Sequence, residues 1–381
     1  MTRPEARLLL ACGRATLGNG ERQAVEKLAR EVADWDRVDA LAVRHGLVPL
    51  LHRHLGSLTP GVVPKPTLAA LWARAEVIAR RSRAMARELE EVIAHLAAQG
   101  ITVAPYKGPA LALALYGDVA LRDFGDLDLL VRAQDAIRAK DALAARGYVP
   151  QFALPPHLEQ ALVESPRHDE LPLLDKARGF LVELHWRTDP DYDVLDVGLW
   201  NRLEPVSGGA TTLWTLPERE LLLVLGLHGT KHLWASLNWL VDVAELLRRG
   251  PDGEWLLERA RAFGCLRRLA LCLRLARDLL DAPIPALLAR AIEDERVVRL
   301  AAQITPALFE PEYRAPGTVD YLHTLLGLQD SFPGRARYLA RTMLTPTLGD
   351  WLAHPLPRGL SFLYLPLRIP RLARKYLARS A

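Results

Sequence analysis

The sequence predicts an α+β fold, a small mixed sheet held between N-terminal and C-terminal helical regions, and three observations carry that prediction. Apolar residues recur at helical spacing from Met1 to about Gly100, and again after Pro217. Between these stretches lie three short segments, ITVAPYKG, DLDLLV and FLVELHW, with β-branched runs or two-residue alternation. Half of the 381 residues are hydrophobic and a quarter are charged, which is material enough for a buried core and for two or three domains.

Taken in order, residues 1–95 read as an N-terminal helical region, broken at GSLTPGVVPKP and resumed in a long run that ends on Gly100. Residues 96–190 form the α/β core. In it the strand ITVAPYKG leads to a short helix and loop, PALALALYGDVALRDFG, then to the strand DLDLLV, a helix closed by Gly147, and the strand FLVELHW. After a proline-containing loop, helical patterning returns in ERELLLVLGLHGTKHLWASLNWLVDVAELLRRG, within a helical domain over 215–302. Residues 303–381 are a proline-broken, basic tail region. Its last part, 351–381, holds Arg358, Arg368, Arg371, Arg374, Lys375 and Arg379 and no acid, a charge suited to anionic lipid, nucleic acid or an acidic partner, or to a plain surface helix docked on the body. Pro366 and Pro370 interrupt any continuous amphipathic helix there.

The formal charge of +4 is modest for this length and does not by itself argue for a nucleic-acid binder. No window reaches the roughly 18 apolar residues of a membrane helix, and the opening segment is too short in apolar residues for a signal peptide, so a cytoplasmic location without a transmembrane segment is expected. Cys12, Cys265 and Cys272 form no CxxC pair and read as core residues. Only seven of the 49 basic residues are lysines, which makes Lys107 and Lys231, both inside motifs, more informative than an average arginine.

Side chains two apart on a strand share a face, so Asp126 and Asp128 project together while Leu127 and Leu129 turn inward. Adjacent carboxylates repel unless a cation lies between them, and hard oxygen donors suit magnesium; a half-solvated acidic strand is the plainer alternative. Two further features favour metal. A Lys-Gly turn and a short helix precede the pair, a layout in which backbone N–H groups receive phosphate oxygens, and the LVELHW strand supplies Glu183 as a third carboxylate.

YKGPALALALYGDVALRDFGDLDLLV followed by VELHW resembles the bacterial nucleotidyltransferase-like family of the polymerase-beta superfamily, whose members carry a KG turn, an R-x-x-x-D-x-D-L-L-V strand and a later E/D-L-H-W strand. HGLVPLLHRHL, HGTKHLWASLNWLVDVAELL and LYLPLRIPRLARKYL resemble flanking elements of the same family, so the resemblance covers most of the chain. It implies Asp126 and Asp128 as ligands of one or two Mg²⁺ ions and Glu183 as the third carboxylate. A nucleoside triphosphate, ATP by preference, would pass its nucleotidyl group to an acceptor hydroxyl. A small molecule, a peptide, a protein side chain and an RNA end stay open as acceptors, with nucleic acid not favoured. Lys107 and Gly108, candidates for nucleotide binding, stand where better-known members have a glycine-serine pair, Lys107 offering a cationic contact to phosphate that the serine would not, and the interval to Asp126 is longer than in the compact antibiotic-modifying members.

Arg122 suits a phosphate contact, or equally a pairing with Asp123 or Asp118 that pins the loop. Asp123 reads as a loop cap, and Tyr116 as packing before base stacking. His185 shares the face of Glu183 and is expected to position a carboxylate, while Trp186 turns to the core. His228 and His232, four apart on one helix, lack the glutamate and third ligand of a zinc site. In the resembling family a helix of this kind packs over the nucleotide pocket, which makes Lys231 a candidate phosphate contact. Asp242, inside WLVDVAELL, needs a buried partner or a site role, and Trp234 and Trp239 read as core. Two rivals stand beside catalysis of nucleotidyl transfer: a non-catalytic regulator or biosynthetic accessory protein on the same fold, and phosphoryl transfer.

Overall fold

Five helices precede the first strand in the computed structural model, which describes residues 3–209, 211–310 and 317–368: α1 (Pro4–Ala11), α2 (Asn19–Glu31), α3 (Trp35–Arg44), α4 (Val48–Leu55) and α5 (Lys65–Ala97). The break before α5 falls in the predicted proline-glycine stretch. With 33 residues, α5 is about 50 Å long. Its buried positions Leu71, Ala75, Ala79, Ser82, Met85, Leu89, Val92 and Leu96 recur at three- and four-residue spacing. Leu71 and Ala75 join the core of the helical regions, whereas Met85, Leu89, Val92 and Leu96 join the core under the sheet, so one helix ties the two together.

The α/β part runs β1 (Val103–Pro105), α6 (Gly108–Tyr116), β2 (Leu127–Val131), α7 (Ala136–Ala145), β3 (Val149–Pro150), α8 (Pro156–Glu164), β4 (Glu170–Asp175) and β5 (Phe180–His185). The sheet is mixed, ordered β1-β2-β5-β4-β3, with β2 and β5 parallel and the other neighbours antiparallel. All three predicted strands form and lie side by side. Two more were missed: β3 has only two residues, and β4, ELPLLD, carries Pro172 in its middle, which argues against a strand by sequence. A separate hairpin pairs β6 (Glu204–Val206) with β7 (Leu213–Thr215).

Helices then return: α9 (Glu218–Lys231), α10 (Leu237–Arg248), α11 (Gly253–Phe263), α12 (Leu266–Leu280), α13 (Glu295–Leu308), α14 (Thr318–Gly327), α15 (Phe332–Leu344) and α16 (Leu348–Ala353). The three cysteines are buried, as expected of core residues. No helix among the described residues is long and apolar enough to cross a membrane. Arg371, Arg374, Lys375 and Arg379 of the basic tail lie outside the described residues.

His228 and His232 do not share one helix, as the pattern suggested. The chain breaks between α9 and α10 because Leu233 and Trp234 adopt left-handed backbone, φ +50° and +54°, and the Trp234 N–H donates to the Gly229 carbonyl at 2.8 Å. The fully buried Trp234 ring folds back on Gly229, where a Cβ would stand 2.4 Å from ring atoms. Gly229→Ala is therefore expected to destabilise by about 1–3 kcal/mol through overpacking, although alanine in an open helix position gains stability. Urea unfolding gives the sign, and a raised midpoint would show that the ring does not need this gap.

Candidate functional site

Parallel pairing of β2 with β5 sets Asp128 directly opposite Glu183, and antiparallel pairing of β5 with β4 sets His185 opposite Glu170. Leu127, Leu129, Val182 and Leu184 point the other way, fully buried in the core. The polar face opens into a cavity of about 510 Å³. Asp126 also lines this cavity, but it sits one residue before β2 begins rather than within the strand.

The ligand atoms of Asp128, Glu183 and His185 lie within 4.8 Å of one another. His185 Nε2 is 3.2 Å from Asp128 and 3.6 Å from Glu183, and Nδ1 is 3.5 Å from Glu170. Burial opposes charge on this ring, yet the carboxylates of Asp128 and Glu183 overcome it and raise its pKa to about 9. His185 thus sits among acids that favour its protonated form. Burial likewise pushes the Asp128 carboxyl up, but Lys107 and His185 outweigh it and hold the group well below the usual carboxylate range.

Lys107, expected as a cationic contact for phosphate, lines the cavity with its ammonium 2.7 Å from Asp128, almost entirely buried. The reason is local. Lys107 precedes α6, and Gly108 takes left-handed backbone, φ +53°, with a Cβ there landing 3.0 Å from the Asp126 carbonyl. Only glycine lets the start of α6 press against the chain entering β2, which brings Lys107 onto the carboxylate.

Arg122 lines the cavity, but its partner is Asp242, not Asp123 or Asp118. Nε and Nη2 approach the Asp242 carboxylate at 3.0 and 2.9 Å, and Tyr116 donates its hydroxyl to the same group at 2.7 Å. Asp242 is buried behind Arg122 and Tyr116, and is not among the residues lining the cavity. Asp118 instead caps the turn at Ala120, and Asp123, expected to cap the loop, pairs with Arg81 of α5. Lys231 lines the cavity while its Nζ rests 3.1 Å from Asp169.

Trp234 is core, as expected, but Trp239 is not wholly so: it lines the cavity beside His228 and His232, with ring centroids 5.3 Å from each. Burial keeps His228 neutral, well below its ordinary value. The residues that sequence reasoning missed are Asp169 and Glu170, which form a second acidic group around His185. The adjacent acids in RHDELP were the available signal, hidden by the proline that masks β4.

A cation fits this donor set. Burial first, and then the negative charges of Asp128 and Glu183, push the Asp126 carboxyl up to about 6 against the opposing pull of Lys107 and Arg122. The close group offers carboxylate oxygens from Asp128 and Glu183 and a ring nitrogen from His185, a set that could hold a metal ion.

A family model described as an uncharacterised nucleotidyltransferase matches residues 31–281, more than half of the chain and every site residue discussed above. No curated protein and no solved structure matches the chain.

Proposed function

Because the chain belongs to this family of uncharacterised nucleotidyltransferases, we propose that it transfers a nucleoside monophosphate from a nucleoside triphosphate, ATP by preference, to an acceptor hydroxyl. The supporting observation is the register pairing of Asp128 with Glu183 beside an Asp126 whose carboxyl is pushed up by its neighbours. Asp126, Asp128 and Glu183 would hold Mg²⁺, which supplies charge neutralisation at the phosphates and acidifies the attacking hydroxyl. In the reaction, the acceptor oxygen bonds to the α-phosphorus, the bond from that phosphorus to the bridging oxygen breaks, and pyrophosphate leaves with the electron pair. Glu183, the more exposed of the paired carboxylates, takes the hydroxyl proton.

The chain's own cations have separate tasks. His185 keeps the carboxylates in place. Lys231 and Arg122, at the cavity wall, meet the triphosphate, whereas Gly108, expected to receive phosphate through the start of α6, is buried, is not among the residues lining the cavity, and is followed by Pro109, which has no backbone N–H. Trp239 and the neutral His228 form an uncharged wall suited to a base. The same reading makes residues 96–190 the catalytic unit and 215–302 the helical unit over the pocket, in a cytoplasmic bacterial protein of the polymerase-beta superfamily.

A second reading, a non-catalytic regulator or accessory protein, draws on Lys107, an internal cation already seated on Asp128. Calorimetric titration of each of the four nucleoside triphosphates with Mg²⁺ separates the two. Catalysis predicts metal-dependent binding that weakens at least about ten-fold in the Asp126→Asn/Asp128→Asn variant. Folded protein that ignores every triphosphate favours the accessory reading. Pyrophosphate as product marks nucleotidyl transfer, and nucleoside diphosphate would mark phosphoryl transfer.

A further inference from the structure

A second cavity, of about 230 Å³, lies between the end of α11, the first turns of α15 and the loop at Asp191, and it shares no lining residue with the carboxylate cavity. Three arginines line it, Arg261 from α11 and Arg337 and Arg341 from α15, against one acid, Asp191. That acid is already engaged on both oxygens, one 2.9 Å from Arg268 and the other 2.8 Å from Arg341. Arg268 is 1% accessible, and its other carboxylate partner is Asp189, at 3.9 Å. Four guanidiniums are thus set against two carboxylates.

The surplus charge faces the cavity. Arg261 and Arg337 have no ion-pair partner among the described residues. The excess extends beyond the lining: Arg167 gives its guanidinium only to the Thr342 carbonyl, at 3.2 Å, and burial, together with Arg368 and Arg341, pushes its pKa down. Tyr338 also lines the cavity, its hydroxyl without a partner among the described residues, and burial raises its pKa to about 12, which keeps it a hydrogen-bond donor.

We propose that this cavity binds a small phosphate-bearing anion through Arg261, Arg337 and Arg341, with the Tyr338 hydroxyl as a further donor. Guanidiniums reaching in from two helices favour a tetrahedral group, which offers oxygens on several sides, over a carboxylate, which fills a single guanidinium fork. The site is independent of the reaction assigned to the carboxylates.

Calorimetric titration of pyrophosphate into the full chain tests this, with a chelator present so that no divalent ion sits among the carboxylates. Pyrophosphate is expected to bind one-to-one, to weaken as salt rises, and to bind at least about ten-fold more tightly than citrate, a polycarboxylate of similar charge. An Arg261→Ala/Arg337→Ala variant, altered only at exposed side chains, should lose about ten-fold or more of that affinity while its urea midpoint stays unchanged. Lys231→Met, at the wall of the other cavity, should keep it. The proposal is overturned if pyrophosphate does not bind, if citrate binds as tightly, if the double arginine variant binds like wild type, or if Lys231→Met abolishes binding, which would put the anion in the carboxylate cavity.

Discussion

Asp128→Asn is expected to lower nucleotidyl transfer by roughly 10²–10³-fold, because it removes the charge on which the site's electrostatics converge. It should also cost about 3–5 kcal/mol of stability, since it removes the carboxylate 2.7 Å from the buried Lys107 ammonium and leaves His185 only the more distant Glu170 and Glu183. Because that variant can lose activity by unfolding, Glu183→Gln is the companion. Its side chain is 24% accessible, so its loss of activity should come with little change in urea midpoint. Turnover within a few-fold of wild type in both folded variants would remove these carboxylates from the chemistry. Loss in Glu183→Gln with intact folding is the outcome that assigns the site.

Asp242→Ala should be the most destabilising change away from the carboxylates, by about 3–5 kcal/mol in urea unfolding. It strands the Arg122 guanidinium, 6% accessible, and the Tyr116 hydroxyl in a buried setting. The pair links α10 to the loop entering β2, so the loss loosens the approach to Asp126 as well as the core. Replacing both partners, Arg122→Met/Asp242→Leu, should recover most of the stability, because a buried ion pair and an apolar pair of similar volume differ little. Under the proposed function it should not recover triphosphate affinity, since Arg122 is the member of the pair at the cavity wall. Recovery of both would show that Arg122 acts only as a structural tie. A single alanine variant as stable as wild type would mean that water reaches this pair.

How much of this was readable beforehand depended on the range over which each feature is specified. The strands carrying Asp128 and Glu183 and the glycine ends of α5 and α7 follow from neighbours in the chain, because side-chain alternation and left-handed glycine are local properties. Strand β4 was lost to the same local reasoning: Pro172 lowers strand preference, and pairing with β5 overrides it. The break after Lys231 was lost because the apolar spacing of the segment continues across it, while Trp234 turns back to fill the space over Gly229.

The sequence by itself determined the α+β class and the three strands, and put forward Asp126, Asp128 and Glu183 as candidates, since each rests on short-range periodicity and residue chemistry. Only the tertiary structure decided which cation neutralises which acid. Lys107 settles on Asp128, Arg122 on Asp242 from 120 positions away, and Asp169 and Glu170 enter the site through a strand the pattern concealed. The physical reason is that charge pairing in a buried site is governed by shared desolvation and by distance in space, and neither is encoded in the spacing of residues along the chain.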